Sequence, residues 1–194
     1  MLQNKNIAVL VSGTGSILEA MLAAEVPIAL VVADRECRGL DIARAAGVET
    51  VLIRRTEYGA PLNRDAYTAK LVETLEARGI GLVAMAGFMT ILSPLIFETY
   101  RNRILNTHPS LLPDFKGDRA VQDALAAGAK ETGCTIHIAT EELDDGPILA
   151  QEKVPVEPND TVETLHERIK TVERGIYPKL LKAILAGGIA LPEA

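Results

Sequence analysis

In the stretch Leu105-Asn106-Thr107-His108-Pro109-Ser110-Leu111-Leu112-Pro113, an amide donor, Asn106, and a titratable imidazole, His108, stand two residues apart. Ile104-Leu105 leads in as a strand would. Pro109 closes it, because proline cannot continue a ladder and biases the preceding residue toward extended geometry. Side chains alternate along a strand, so Asn106 and His108 point to the same side. Together they suit a carbonyl whose oxygen becomes negative during reaction, Asn106 as a fixed donor and His108 as an acid. The plainer reading of Asn-x-His at a strand end is a capped terminus with a surface histidine, and the rest of the chain must decide between the two.

Four further groups bear on that decision. The turn Ser12-Gly13-Thr14-Gly15-Ser16 follows an apolar run and precedes a helical segment, which puts free backbone N–H groups and a positive dipole end at one place. Gly13-x-Gly15 with Asp34 nineteen residues beyond Gly15 invites a dinucleotide reading, but Leu18 stands where the third glycine belongs, and no Gly-Lys-Ser/Thr ending is present. One phosphate fits better than a pyrophosphate, with a purely structural turn as the alternative. Asp144, in the acidic loop Glu141-Glu142-Leu143-Asp144-Asp145-Gly146-Pro147, is a candidate to hold the His108 ring, although an acid before Gly-Pro also serves as a turn former. Glu173 borders the apolar stripe of a late helix and can face a ligand's hydroxyls or the solvent. Arg64, in the first turn of another helix, can meet a carboxylate. His166 reads as the rim of the late helix, and His137, between Ile136 and Ile138, as pointing to the face opposite theirs with no assigned role.

Composition narrows the classes. The 194 residues suffice for one full core, and 26 acidic against 20 basic residues give a formal charge of −6, the wrong balance for a protein living on nucleic-acid phosphates. Cys37 and Cys134 belong to no C-x-x-C pair and fit reduced thiols. With three histidines and no H-E-x-x-H or cysteine cluster, no metal is expected. No apolar run is long enough for a signal peptide or a bilayer span, so the expectation is a soluble, cytoplasmic protein with no membrane or nucleic-acid partner.

The elements that must position these groups alternate. Ile7 to Val11, Pro27 to Ala33, Val48 to Ile53, Gly81 to Ala86 and the strand ending at His108 read as buried strands, with helical segments between them. Asn63 is a plausible helix cap, the loop Arg54 to Leu62 carries Gly59 and Pro61, and Ser93-Pro94 opens a short helix. A helix around Ala120 to Ala127 precedes strands over Cys134 to Thr140 and Ile148 to Val156, and Pro155 argues that the last lies at a sheet edge. Asp160, with Glu163 three residues on, is the expected capping box of the final helix, whose stripe is Val162, Leu165, Ile169, Val172, Ile176, Leu180 and Ile184. The pattern predicts a single α/β domain over 1–194. It is an open, Rossmann-like, mostly parallel sheet with helices on both faces and an antiparallel C-terminal portion, with a phosphate-binding half to about residue 100 and a catalytic half beyond. Ligands of such sheets bind outside the carboxyl ends of the strands, where the turn, the segment Gly87 to Leu92, Asn106, His108 and the acidic loop can all converge.

These segments resemble a known family, the folate-dependent glycinamide ribonucleotide formyltransferases. The matching stretches are Ser12-Gly13-x-Gly15-Ser16, Ala86-Gly87-Phe88-Met89-x-Ile91-Leu92, Leu105-Asn106-x-His108-Pro109-Ser110-Leu111-Leu112-Pro113, Glu142-Leu143-Asp144-x-Gly146-Pro147, and Glu173 before Ile176-Tyr177-Pro178. The resemblance implies formyl transfer from 10-formyltetrahydrofolate, as co-substrate, to the amine of 5′-phosphoribosylglycinamide in purine synthesis. It also implies roles for residues at the matching positions. Gly15, Ser16 and the backbone at Ile17 would hold the substrate phosphate, and Lys170, Thr171, Val172 and Glu173 the rest of the ribonucleotide, Glu173 on its ribose hydroxyls. Arg64, Met89, Thr90, Ile91, Leu92, Asn106, Thr140, Glu141, Glu142, Leu143 and Asp144 would contact the folate. His108 would be the catalytic acid, tuned by Asp144, and a homodimer is compatible with the family.

Three positions depart from the family pattern: Ile17 where Asn is often found, Thr90 where Arg is common, and Val121 in place of a frequent histidine. Among families that share Asn-x-His-Pro, methionyl-tRNA formyltransferases carry a C-terminal RNA-binding domain and formyltetrahydrofolate deformylases an N-terminal regulatory domain. Neither is expected of a chain whose fold begins at Ile7 and which ends at Ala194. Hydrolysis of the formyl-folate remains the nearest rival chemistry, and a nucleotide-binding oxidoreductase or regulatory module the more distant one.

Overall fold

The computed structural model describes residues 4–55 and 62–192, so Gly59 and Pro61 lie outside the described residues. In chain order its elements are β1 (Ile7–Val11), α1 (Ser16–Ala23), β2 (Ile28–Ala33), α2 (Arg38–Ala45), β3 (Glu49–Leu52), α3 (Arg64–Glu76), β4 (Leu82–Met85), α4 (Pro94–Thr99), β5 (Ile104–His108), α5 (Ala120–Ala126), β6 (Glu131–Ile138), β7 (Ile148–Pro155) and α6 (Val162–Leu185). The strands form one seven-stranded sheet in the order β3-β2-β1-β4-β5-β6-β7. The pairs among β1 to β5 are parallel, and β6 and β7 add antiparallel, as the helix-free connection between them predicts.

The alternation of β1 divides the core. Ile7, Val9 and Val11 face a cluster with α1, α2 and α6, while Ala8 and Leu10 face a cluster with α3 and α4. A strand buried on both faces needs apolar residues at every position, which is what Ile7 to Val11 supplies. The chain leaves β1 toward β2 and β3 on one side and returns to β4 on the other, so the connections diverge between β1 and β4. Such a switch point, at the carboxyl ends of the strands, is where ligands of open α/β sheets bind.

Several local expectations are met. Asn63 caps α3 by accepting from the Ala66 amide at 3.0 Å, Pro94 occupies the first turn of α4, and β7, with its Pro155, is an edge strand. Others need correction. The capping box of α6 is formed by Thr161 and Thr164, each side chain bonded to the other's backbone amide, and not by Asp160 and Glu163. Asp160 is engaged instead by the fork of Arg168 at 2.7 and 2.8 Å, which holds its carboxyl well below the usual range. Val162, placed in the buried stripe by its spacing, is 38% exposed because α6 meets the sheet only from Leu165 onward. Tyr177 and Leu181 take the central positions, and the Tyr177 hydroxyl donates to Leu105 O at 3.0 Å, fastening α6 to β5. β6 begins at Glu131, three residues before the expected start. Gly133 lies inside it, where a Cβ would lie 2.2 Å from Glu152 O of the neighbouring strand.

Candidate active site

The glycine turn after β1 packs against its neighbours mainly through backbone. Gly15 is the N-cap of α1 with φ +71°, a conformation that suits glycine, and a Cβ there would lie 2.7 Å from the Cα of Gly39 at the start of α2. Gly39 N donates to Gly13 O, Ser12 N donates to Gly87 O at 3.1 Å, and Met89 N donates to Ser12 Oγ at 2.9 Å. The last two contacts join the turn after β1 to the segment after β4, so these two parts of the predicted site are one structure. The Ile17 side chain is buried in the core, which leaves its main chain as the part able to meet an anion.

The central constellation forms at the end of β5. Asn106 pairs across the sheet with His137 of β6, and His108 with Thr135. His108 is 4% exposed and Asp144 6%, and His108 Nδ1 lies 3.3 Å from Asp144 Oδ2. His108 Nε2 donates to Phe115 O at 2.8 Å. Both ring nitrogens therefore face oxygen acceptors. Asp144 holds its place with φ +53°, its Oδ2 also accepting from Gly117 N at 3.0 Å. Burial pushes the Asp144 carboxyl up, but the facing His137 ring, the Gly117 amide and the His108 ring outweigh it and hold it below its ordinary value. Lys116 and Asp145 form an ion pair between the same two loops.

His137 is the participant that sequence reasoning left without a role. Its Nδ1–H donates to Ile138 O at 3.0 Å, and its Nε2 lies 3.2 Å from Asn106 Nδ2. Nε2 also lies 3.6 Å from Asp144 Oδ1. The expectation that His137 points away from Ile136 and Ile138 was sufficient to place it, since direct cross-strand partners share a face. The Phe115 carbonyl and the Gly117 amide gave no comparable signal, being backbone atoms in a loop.

Arg64 donates to Leu92 O at 2.9 Å, which brings it to the Met89–Leu92 segment. There the side chains separate by role: Met89 and Ile91 are 59% and 60% exposed, while Leu92 is buried and Thr90 turns inward, its hydroxyl donating to Asp34 Oδ2 at 2.8 Å. Thr90 therefore offers a ligand its backbone. Leu143, at 60%, adds a third exposed apolar side chain on the acidic loop, and within the same loop the Thr140 hydroxyl donates to Glu142 O. The Glu141 carboxylate is exposed. Asp34 is closed off by the Arg35 fork, at 3.0 Å to each oxygen, and by Thr90, so it is not presented to a ribose as the dinucleotide reading requires.

On α6, Lys170 pairs with Glu167, Thr171 donates to Glu167 O, and Val172 packs beside Ile169. Glu173 is 4% exposed, more buried than a rim carboxylate, and Thr107 Oγ1 donates to its Oε1 at 2.9 Å. Burial raises the Glu173 carboxyl above its ordinary value, against the hydrogen bond from Thr107 and the charges of Lys170 and Arg174.

An open, mixed sheet with a glycine turn at its switch point, and an Asn and a His at the end of β5 facing an Asp of the β6–β7 loop, has the donors and the acid that chemistry on a carbonyl group uses. Residues 5–181 match the model of the formyl transferase family, and the chain belongs to that family. Among its relatives, it is 42% identical to phosphoribosylglycinamide formyltransferase of Mycobacterium tuberculosis, over 95% of this chain and 87% of that one. It is 41% identical to the trifunctional purine biosynthetic protein adenosine-3 of Bos taurus, over 96% of this chain but 19% of that protein, so it spans about a fifth of that relative's length. The crystal structure of glycinamide ribonucleotide transformylase 1 from Symbiobacterium toebii superposes with a TM-score of 0.89 at 40% identity, covering 96% of this chain and 90% of that one. Among the described residues no helix is long and apolar enough to cross a membrane.

Proposed function

We propose that the chain transfers the formyl group of 10-formyltetrahydrofolate to the amine of 5′-phosphoribosylglycinamide, a step of purine biosynthesis carried out in the cytoplasm. The observation that carries this reading is the His108–Asp144 contact at 3.3 Å with Asn106 on the same face of β5. The substrate amine attacks the formyl carbon, and the formyl oxygen gains negative charge as the new C–N bond forms. The Asn106 amide donates to that oxygen, and the His108 Nε2–H joins it by exchanging its bond to Phe115 O for one to the formyl oxygen. The bond from the formyl carbon to the folate nitrogen then breaks. The folate nitrogen gains a proton as the attacking amine loses one, so no net proton is consumed. Asp144 keeps His108 oriented and balances its charge.

Binding follows the same residues. Gly15, Ser16 and the Ile17 amide lie at the N-terminus of α1, where a phosphate is favoured by the dipole and free N–H groups. Glu173, beside Lys170, Thr171 and Val172, takes the ribose hydroxyls. Exposed Met89, Ile91 and Leu143 offer an apolar surface to the flat folate ring, with backbone groups of Thr90, Leu92 and Thr140 to Asp144 as polar partners. Arg64 meets the anionic end of the folate.

The experiment is a coupled assay of tetrahydrofolate release with and without the ribonucleotide. Release that requires the ribonucleotide, with the formylated product recovered, is expected. Equal release in its absence would establish hydrolysis instead. Thermal protection by NAD, with none by the folate or the ribonucleotide, would favour the oxidoreductase reading.

A further inference from the structure

Thr107 lies between Asn106 and His108 on β5, and strand alternation turns its side chain to the other face of the sheet, toward α6. There its Oγ1 donates to Glu173 Oε1 at 2.9 Å and sits 3.4 Å from Cys134 Sγ of β6. Cys134 is fully buried, its thiol pushed up to about 12 chiefly by burial and next by the Glu173 charge, so it stays a neutral S–H that also hydrogen-bonds Glu173, a weaker donor beside the Thr107 hydroxyl. The α6 side chains around Glu173 that enter the sheet are apolar, with Ile169 and Tyr177 both fully buried. A carboxylate kept in such surroundings is costly unless hydrogen-bonded, and packing alone is served as well by an apolar side chain.

We propose that Thr107 is a positioning residue of the ribonucleotide site: by fixing one oxygen of Glu173 it aims the carboxylate's remaining acceptor capacity at the ribose hydroxyls. The same strand then carries the two formyl-oxygen donors and the residue that orients the ribose contact, so ribose and reacting amine are registered against one rigid element. This rests on the reading that Glu173 meets the ribose.

The test compares Thr107→Val, Thr107→Ser and Glu173→Gln in steady-state kinetics. Loss of one hydrogen bond to a charged group predicts a rise of about tenfold in KM for the ribonucleotide in Thr107→Val, the equivalent of about 1.4 kcal/mol. The folate KM and kcat should stay within about twofold, because the lost hydroxyl acts on binding of one substrate. Thr107→Ser, which keeps the hydroxyl, should restore the ribonucleotide KM. Thr107→Ala, which adds no bulk, should give the same split and serves if the valine variant does not fold. An unchanged ribonucleotide KM in Thr107→Val and Thr107→Ala, beside a raised one in Glu173→Gln, overturns the role of Thr107 alone. An unchanged KM in Glu173→Gln overturns the ribose reading beneath it.

Discussion

Asn106 and His137 are direct cross-strand partners, and the amide nitrogen of one lies 3.2 Å from Nε2 of the other. An amide side chain can rotate, and a donor that rotates away from a developing oxyanion does nothing for the reaction. His137, itself held by Ile138 O at 3.0 Å, restricts that rotation and decides which end of the amide is presented.

His137→Leu should therefore lower kcat by about tenfold, a fraction of the roughly 10²–10³-fold lost when an oxyanion donor is removed outright. The ribonucleotide KM should move little, since the lost partner acts on the reacting centre. Steady-state kinetics on the purified variant, with circular dichroism as a check on folding, decide it. A kcat equal to wild type would mean that Asn106 keeps its orientation by other contacts.

Asp144 meets His108 Nδ1 and Gly117 N with one carboxylate oxygen and faces His137 with the other. Asp144→Asn keeps the shape but removes the charge opposite His108, and should lose about 10²–10³-fold in kcat, as His108→Ala should. Near-normal turnover in both variants would remove the proposed machinery. The charge also has a signature in stability. The folded carboxyl titrates below its ordinary value of 3.8, so its stabilising contribution is complete above that value and is lost as pH falls through the folded one. Urea unfolding should show the wild-type advantage over Asp144→Asn at about pH 6 shrinking by about pH 3. A constant difference would contradict the depressed carboxyl.

The strand-by-strand order of this fold is written in its apolar runs, because a parallel strand buried on both faces leaves no room for polar residues. Asn106, His108 and Asp144 stand out by type and spacing, and the fold brings the three together. The errors came where two polar residues compete for one local job. Asp160 and Thr161 both suit a helix cap, and only the Arg168 fork, a contact across eight residues, decides that Asp160 is taken. His137 has the opposite history. Its face was readable from alternation, but its function depends on which residue lies across the sheet, and register is a tertiary property. The inward turn of Thr90 was hidden for the same reason: its partner Asp34 lies on another strand end.

That Thr90–Asp34 contact carries a prediction of its own. Burial pushes the Asp34 carboxyl up, but bonds from Arg35, Thr90 and Ser12, with the Arg35 charge, hold it below its ordinary value. Thr90→Val keeps the volume and removes one donor to a buried charge. It should destabilise the fold by about 1.5–3 kcal/mol, read as a shift in the urea midpoint at unchanged slope. Because Thr90 faces inward, the folate KM should change less than stability does. A variant with wild-type stability and a markedly raised folate KM would place the hydroxyl in the ligand site instead.

Gly13 and Gly15 are chemically identical and two residues apart, yet they should respond differently to alanine. A Cβ at Gly13 meets nothing within 4 Å, and its φ is not in the left-handed region, so Gly13→Ala should fold like wild type. A Cβ at Gly15 would lie 2.7 Å from the Gly39 Cα, a backbone atom that can yield only if α2 shifts, and its φ is +71°. The left-handed backbone alone costs alanine about 1–2 kcal/mol, before the clash is relieved. Gly15→Ala should therefore melt several degrees below wild type and Gly13→Ala should not. Displacing α2 also disturbs the Gly39 N to Gly13 O bond that shapes the turn, so ribose 5-phosphate should protect Gly15→Ala from thermal unfolding less than it protects wild type. If the two variants melted together and were protected equally, close packing against α2 would not be what shapes the turn after β1. The N-terminus of α1 would then have to hold its geometry through the Ser12 contacts to Gly87 and Met89 alone.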